Sequence, residues 1–117
     1  MGDILKVREL LSNYKYLGFM IDREGRTAMH WAALRGWSEI IRVLLFNRCF
    51  IDAEDYSRST PLYNAIKNGS IASIRLILLH RAWPFSDNLP YNYINVSDNY
   101  KIQQMIKKAR HVKFFVY

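Results

Sequence analysis

The feature that most constrains this chain is a self-similarity at an offset of 33 residues. Asp22 pairs with Asp55, Thr27 with Thr60, Ala32 with Ala65, Gly36 with Gly69, Ile41 with Ile74 and Leu45 with Leu78. Core-type positions between them agree in kind: Met29 with Leu62, Val43 with Leu76 and Leu44 with Ile77. Turn residues match turn residues and apolar residues match apolar residues, so the chain is a tandem array. Its core is a line of interfaces between stacked units.

Each period has a physical reading. Asp22-Arg23-Glu24-Gly25 is a turn signal, since Gly takes positive φ at no steric cost and Asp bonds its own downstream backbone. Thr27 is placed to N-cap a short helix over 28–35. In the second period Pro61 follows Thr60, where a missing N–H costs nothing. Ala32 and Ala33 let a neighbouring backbone come close, and Gly36 ends the helix in the left-handed conformation. A second helix over 38–46 carries Ile40, Ile41, Leu44 and Leu45 as an apolar stripe, with Glu39 and Arg42 facing away. Each unit is therefore turn, helix, turn, helix, and none has a complete core alone.

The segments D-R-E-G-R-T-A-M-H-W-A-A-L-R-G at 22–36 and S-T-P-L-Y-N-A at 59–65 resemble ankyrin repeats, whose motif is D-x-x-G-x-T-P-L-H-x-A-A-x-x-G followed by a helix ending in a Leu-Leu pair. The well-matched part covers 22–87. The resemblance implies an all-α solenoid of stacked helix-turn-helix units joined by hairpin-like loops. Over 1–117 it implies one domain: an N-terminal half repeat at 1–21, repeats at 22–54 and 55–87, and a degenerate C-terminal capping repeat with a basic tail at 88–117.

At the N-terminal flank, Gly2-Asp3 with Val7, Leu10 and Leu11 matches Gly36–Leu45 at an offset of 34, as the second helix of an earlier unit. At the C-terminal flank, Leu89-Pro90-Tyr91-Asn92 takes the hairpin position. Ser97-Asp98-Asn99 then offers an N-cap for a helix with Ile102, Met105, Ile106 and Ala109 on one face. Arg58 stands where the motif has the hairpin Gly, and Arg48 and Arg81 stand where Gly usually follows the second helix. A non-Gly residue in the left-handed region costs on the order of 1 kcal/mol, so either these turns differ locally or Asn47 and His80 absorb the change.

The residues that could carry chemistry do not assemble into a catalytic or metal pattern. His30 falls on the T-x-x-H position, where the resemblance implies a structural bond with Thr that ties neighbouring hairpins together. The equivalent place one period on is Tyr63, so histidines are not paired at ligand spacing. His80 lies at a helix C-terminus and His111 in the tail. Cys49, the one cysteine, can form no intrachain disulfide and reads as a small buried thiol in a reducing compartment. The expectation is a non-enzymatic chain with no cofactor or metal, residing in the cytoplasm or nucleus.

The resemblance implies that partners are gripped by hairpin tips and the exposed face of the first helices. Carried over by position, this surface comprises Arg23, Glu24, Arg26, Trp31, Leu34, Arg35 and Trp37 in one unit and Tyr56, Ser57, Ser59, Lys67 and Asn68 in the next. Arg, Tyr and Trp are the types enriched in binding hot spots. The alternative function is electrostatic. Seventeen Lys+Arg against ten Asp+Glu leave a net charge of +7, and +4 of it falls in 98–117, where Lys101, Lys107, Lys108, Arg110 and Lys113 face only Asp98. That amphipathic tail, ending in Phe114-Phe115-Val116-Tyr117, suits nucleic acid, an anionic membrane or an acidic partner; equally it suits a solvated cap. Apolar surface on the unpartnered N-terminal helix would invite self-association.

Overall fold

A computed structural model describes residues 4–80 and 96–116, with side chains for all of these except 15, 16 and 109–116. The expected hairpin at Leu89–Asn92, Arg81 and the tail's aromatic end fall outside the described residues or side chains. Six α-helices follow in order: α1 (Ile4–Asn13), α2 (Ala28–Arg35), α3 (Ser38–Phe46), α4 (Pro61–Asn68), α5 (Ile71–Leu79) and α6 (Tyr100–Val116), with a 3-10 turn at Lys15–Phe19. Among the described residues there is no strand. The fold is an all-helical solenoid, as the repeat predicts.

Local sequence sets the helix ends. The Thr27 and Thr60 hydroxyls accept the N–H groups of His30 (3.3 Å) and Tyr63 (3.2 Å), satisfying first-turn donors. At the other end Gly36 has φ 70° and Gly69 φ 79°, and the Trp37 N–H reaches the Ala32 carbonyl at 2.9 Å, which closes a six-residue C-cap. The end of α3 has the same closure with an unexpected residue. Cys49 N–H bonds the Leu44 carbonyl at 3.1 Å while Arg48 holds φ 59°. Arg58 likewise holds φ 66°. The turns thus keep the motif's geometry and leave an arginine in the left-handed region, rather than redistributing the turn to Asn47.

Helices pack in two rows. α2 lies against α4, forming the first-helix row; α1, α3, α5 and α6 lie side by side in that order as the second-helix row. Burial explains the stacking. Met29, Ala32, Ala33, Leu62, Ala65 and Ile66 close the first row, and Ile41, Leu44, Ile74 and Ile77 are sealed between the rows. Fully burying one such aliphatic side chain is worth about 1.5–3 kcal/mol, so each interface contributes through several residues at once.

The C-terminal helix joins through Ile102 and Ile106, both fully buried, with Met105 partly so. Its start is capped by Asn99, whose Oδ1 accepts the Lys101 N–H (2.9 Å) and the Ile102 N–H (3.3 Å). Lys107 sits exposed at the register where Ile41 and Ile74 are buried. The last helix thus exposes a lysine where the inner units bury an isoleucine. At the opposite end Glu9 is exposed at the register of buried Val43. α1 also leaves Leu5 and Leu10 exposed.

Candidate interaction surface

The hairpins are built around equivalent aspartates. Asp22 Oδ1 accepts the N–H groups of Glu24 and Arg26, both at 2.9 Å, and Asp55 Oδ1 accepts those of Ser57 (2.9 Å) and Ser59 (2.8 Å). These donated bonds, led by that from Arg26, hold the Asp22 carboxyl below its ordinary range. The two hairpins are joined edge to edge by Tyr56 N–H donating to the Glu24 carbonyl at 2.8 Å.

His30 ties the same two units from inside. Thr27 N–H donates to His30 Nδ1 at 3.1 Å, so Nδ1 is unprotonated and the ring proton sits on Nε2, which donates to the Ser59 carbonyl at 2.7 Å. With His30 N–H returning to the Thr27 hydroxyl, the histidine fills the role an acidic side chain plays in a capping box. The ring is fully buried, and desolvation pushes its pKa below the ordinary 6.5, against the opposing pull of the Ser59 bond and Asp55. The structural role implied by the T-x-x-H resemblance is what the geometry shows.

Outside this lock lies a cationic and aromatic surface. The Trp31 indole N–H donates to Asp22 Oδ2 at 2.8 Å, which fixes the ring. The Arg26 and Arg35 guanidiniums lie 5.3 and 5.7 Å from its centroid. Trp31 remains 36% exposed. In the next unit Lys67 Nζ lies 5.6 Å from the Tyr63 ring, and the Tyr56 ring, 71% exposed, lies over Gly25. Asn68 Nδ2 donates to the Leu34 carbonyl at 3.0 Å, binding the C-terminal ends of the two first helices.

Of the residues expected at a partner surface, Arg23, Glu24, Arg35, Tyr56, Ser57, Lys67 and Asn68 are exposed, and Arg26 and Leu34 partly so. Two are not free surface. Ser59 is buried, because its N–H and carbonyl are consumed by Asp55 and His30 at the hairpin base. Trp37 is half-buried against the core, because it is the residue that crosses from α2 into α3. Cys49 is buried, with its side chain against Gly18, and burial pushes its thiol pKa up. Among the described residues no cluster of His, Cys, Asp and Glu could hold a metal, and no helix is long and apolar enough to cross a membrane. Sequence reasoning missed the exposure of Phe46 and Leu79, although they pair at the 33-residue offset.

Comparison with known proteins agrees with this architecture. The family model for ankyrin repeats, three copies, matches residues 2–86. Serine/threonine-protein kinase 12 of Arabidopsis thaliana is 33% identical over 86 residues, which cover 69% of this chain and 17% of that protein. The 26S proteasome non-ATPase regulatory subunit 10 of Dictyostelium discoideum is 30% identical over 79 residues, 67% of this chain and 34% of that protein. The B-cell lymphoma 3 protein homolog of Mus musculus is 42% identical over 60 residues, 50% of this chain and 13% of that protein. The chain thus spans about a third or less of the length of each of these relatives. With a family match across most of its length, stacked helix pairs, and Thr-His and Asp-centred hairpins in the motif's places, the chain belongs to the ankyrin-repeat family, whose units are in general non-enzymatic modules of protein–protein interaction.

Proposed function

We propose that this chain is a binding scaffold that grips a protein partner across its hairpin tips and first-helix face, with Trp31 as the anchor. The observation that carries this reading is the state of Trp31: a large aromatic on the surface, held in one orientation by Asp22 and flanked by two guanidiniums. A side chain ordered before binding loses little entropy when a partner arrives, and Trp and Arg are the strongest hot-spot types. Tyr56 and Lys67 extend the same surface into the next unit. Because the His30 lock and the Tyr56–Glu24 backbone bond fix the two units against each other, the surface is presented rigidly.

The test is an affinity capture with wild-type chain, followed by binding measurements on each recovered protein with Trp31→Ala and Tyr56→Ala. A hot-spot truncation is expected to cost about 2 kcal/mol or more, roughly a thirtyfold loss of affinity, while circular dichroism stays unchanged. Full affinity in the double variant for every recovered partner would sink the assignment of this face. Trp37→Ala is a poor probe, since that side chain also packs on the core.

A further inference from the structure

The second-helix row carries a pattern that the protein-binding face does not use. Arg42 and Arg75 are equivalent at the 33-residue offset, Lys108 continues the series by the same offset, and Arg8 precedes it at the offset of 34 that relates α1 to α3. All four are exposed. Because α3 is packed on α1, α2 and α5, and α5 on α3, α4 and α6, the exposed Arg42 and Arg75 lie on the open side of the row away from α2 and α4. Arg8 and Lys108, exposed at the same repeat position of the two end helices, extend this line of cations to one per helix. Packed helices are about 8–10 Å apart, which sets the spacing of the line.

Two further facts set this line apart from an ordinary solvated helix face. First, its far half has no local counter-charge: residues 56–80 and 100–116 contain no Asp or Glu, so Arg75 and Lys108, with Lys101 and Lys107 beside the latter, have no carboxylate on their own helices. Glu39, one turn before Arg42, is the acid closest in sequence on α3. Secondly, one helical turn after Arg42 and Arg75 stand Phe46, 87% exposed, and Leu79, 70% exposed. Residues four apart share a helix face, so each of these two helices presents a cation and a large apolar side chain together.

We propose that this face, formed by Arg8, Arg42, Arg75 and Lys108 with Phe46 and Leu79, docks on an anionic lipid surface. The headgroup layer supplies distributed negative charge to the line of cations, and the boundary below it takes the two apolar side chains. Charge complementarity selects the occupant. A second copy of the same face would meet it with like charge, and a nucleic-acid backbone would match the cations but leave Leu79 without a role. The proposal also moves the electrostatic function from the tail alone to a face of the whole array.

The experiment is vesicle flotation of the full chain with phosphatidylcholine alone and with phosphatidylcholine containing phosphatidylserine, alongside binding to a single-stranded oligonucleotide. Flotation is expected with the anionic vesicles only and falls as salt rises. Each Lys or Arg near such a surface contributes about 1 kcal/mol, so Arg42→Gln with Arg75→Gln weakens vesicle binding about 30-fold, and Arg42→Lys with Arg75→Lys restores it. Phe46→Ser with Leu79→Ser weakens it as well, and all these exposed positions leave the circular dichroism unchanged. Failure of the wild type to float with anionic vesicles would overturn the proposal, as would flotation of either neutralised or serine double variant at wild-type strength. Tighter binding of the oligonucleotide than of the vesicles would equally overturn it, in favour of a phosphate-backbone partner.

Discussion

The two inner units follow one template with different fidelity, and the contrast shows which positions hold the array together. In the unit starting at Asp22 the hairpin and first helix keep the template's turn, cap and lock residues, Gly25 at φ 77°, Thr27 at the cap, His30 three residues on and Gly36 at the C-cap, while Arg48 after α3 departs from it. The unit starting at Asp55 keeps the aspartate, Thr60 and Gly69, yet puts Arg58 at φ 66° and Tyr63 in the place of His30. His30 is fully buried and crosses to the next hairpin; Tyr63 is half-buried and carries Lys67 against its ring. The first unit grips its successor through an internal polar lock built on a buried histidine, and the second has a half-buried tyrosine in that place.

The sharpest way to break this contrast is to remove the lock. His30→Ala empties a fully buried site, leaves the Thr27 N–H without its acceptor on the ring, and takes one donor from the Ser59 carbonyl, which keeps the Asp55 N–H. A cost of about 3–4 kcal/mol is expected by urea denaturation, combining the cavity and the lost buried hydrogen bonds. Tyr63→Ala at the equivalent position, where the side chain is only half-buried, should cost less. Equal costs would mean that the two units are held alike. The lock can also be opened reversibly. Because the folded pKa of His30 lies below 6.5, the unfolded chain takes up its proton first as pH falls. The stability this site supports is therefore present above about 6.5 and is lost as pH drops through the folded value. A second proton on the ring would also displace the Thr27 N–H from Nδ1. Stability measured between pH 7.5 and 5 should fall in the wild type, and replacing His30 with Gln should flatten that slope.

Next in size is the hairpin contact between the units. Gly25→Ala places a methyl group on a residue at φ 77°, 2.6 Å from the Tyr56 ring. The backbone term is about 1 kcal/mol, and moving the Tyr56 ring adds to it, for roughly 2 kcal/mol in all. The ring is exposed, so it can swing aside, and the proposed partner face is then disturbed with the fold intact. Thermal melting reads the stability loss, and partner binding of the same variant reads the displaced Tyr56. A Gly69→Ala control separates the two terms: its φ is 79° and among the described residues nothing lies within 4 Å of the added methyl, so it reports backbone strain.

These effects also explain what the sequence made legible. Helix limits, caps and the Thr27–His30 relation follow from local rules and a period, so they can be read from the residues. The Asn99 cap and the buried Ile102 and Ile106 were legible for the same reason. The fates of Ser59 and Trp37 were not. Whether a hairpin residue faces solvent depends on which of its atoms the neighbouring unit consumes, and that is a property of the stack. Phe46 and Leu79 were missed because they extend an apolar stripe in sequence while pointing off it in space. For Arg48 and Arg58 the expectation is a locally different turn or an adjustment at a neighbouring residue, and neither occurs, because the arginines themselves take the left-handed conformation.

The smallest effect has the opposite sign and bears on that last point. Arg48 and Arg58 adopt the conformation that glycine adopts freely, so the chain carries strain of about 1 kcal/mol at each. Arg48→Gly keeps the six-residue closure from Cys49 to Leu44, which uses backbone atoms only, and should stabilise the fold by somewhat less than that figure. The discount arises because glycine also has more freedom to lose on folding. At Arg58 the substitution removes an ion pair with Glu54, 3.6 Å long and about half exposed. Such pairs contribute about 0–1 kcal/mol, so the gain at 58 should be the smaller of the two. Raising the salt concentration should narrow the difference between the variants, since it screens the Arg58–Glu54 pair and leaves backbone strain untouched. If both glycines instead destabilised the chain, the arginines would be held by contacts that outweigh their strain, and these departures from the template, one in each inner unit, would be features of the array rather than tolerated defects.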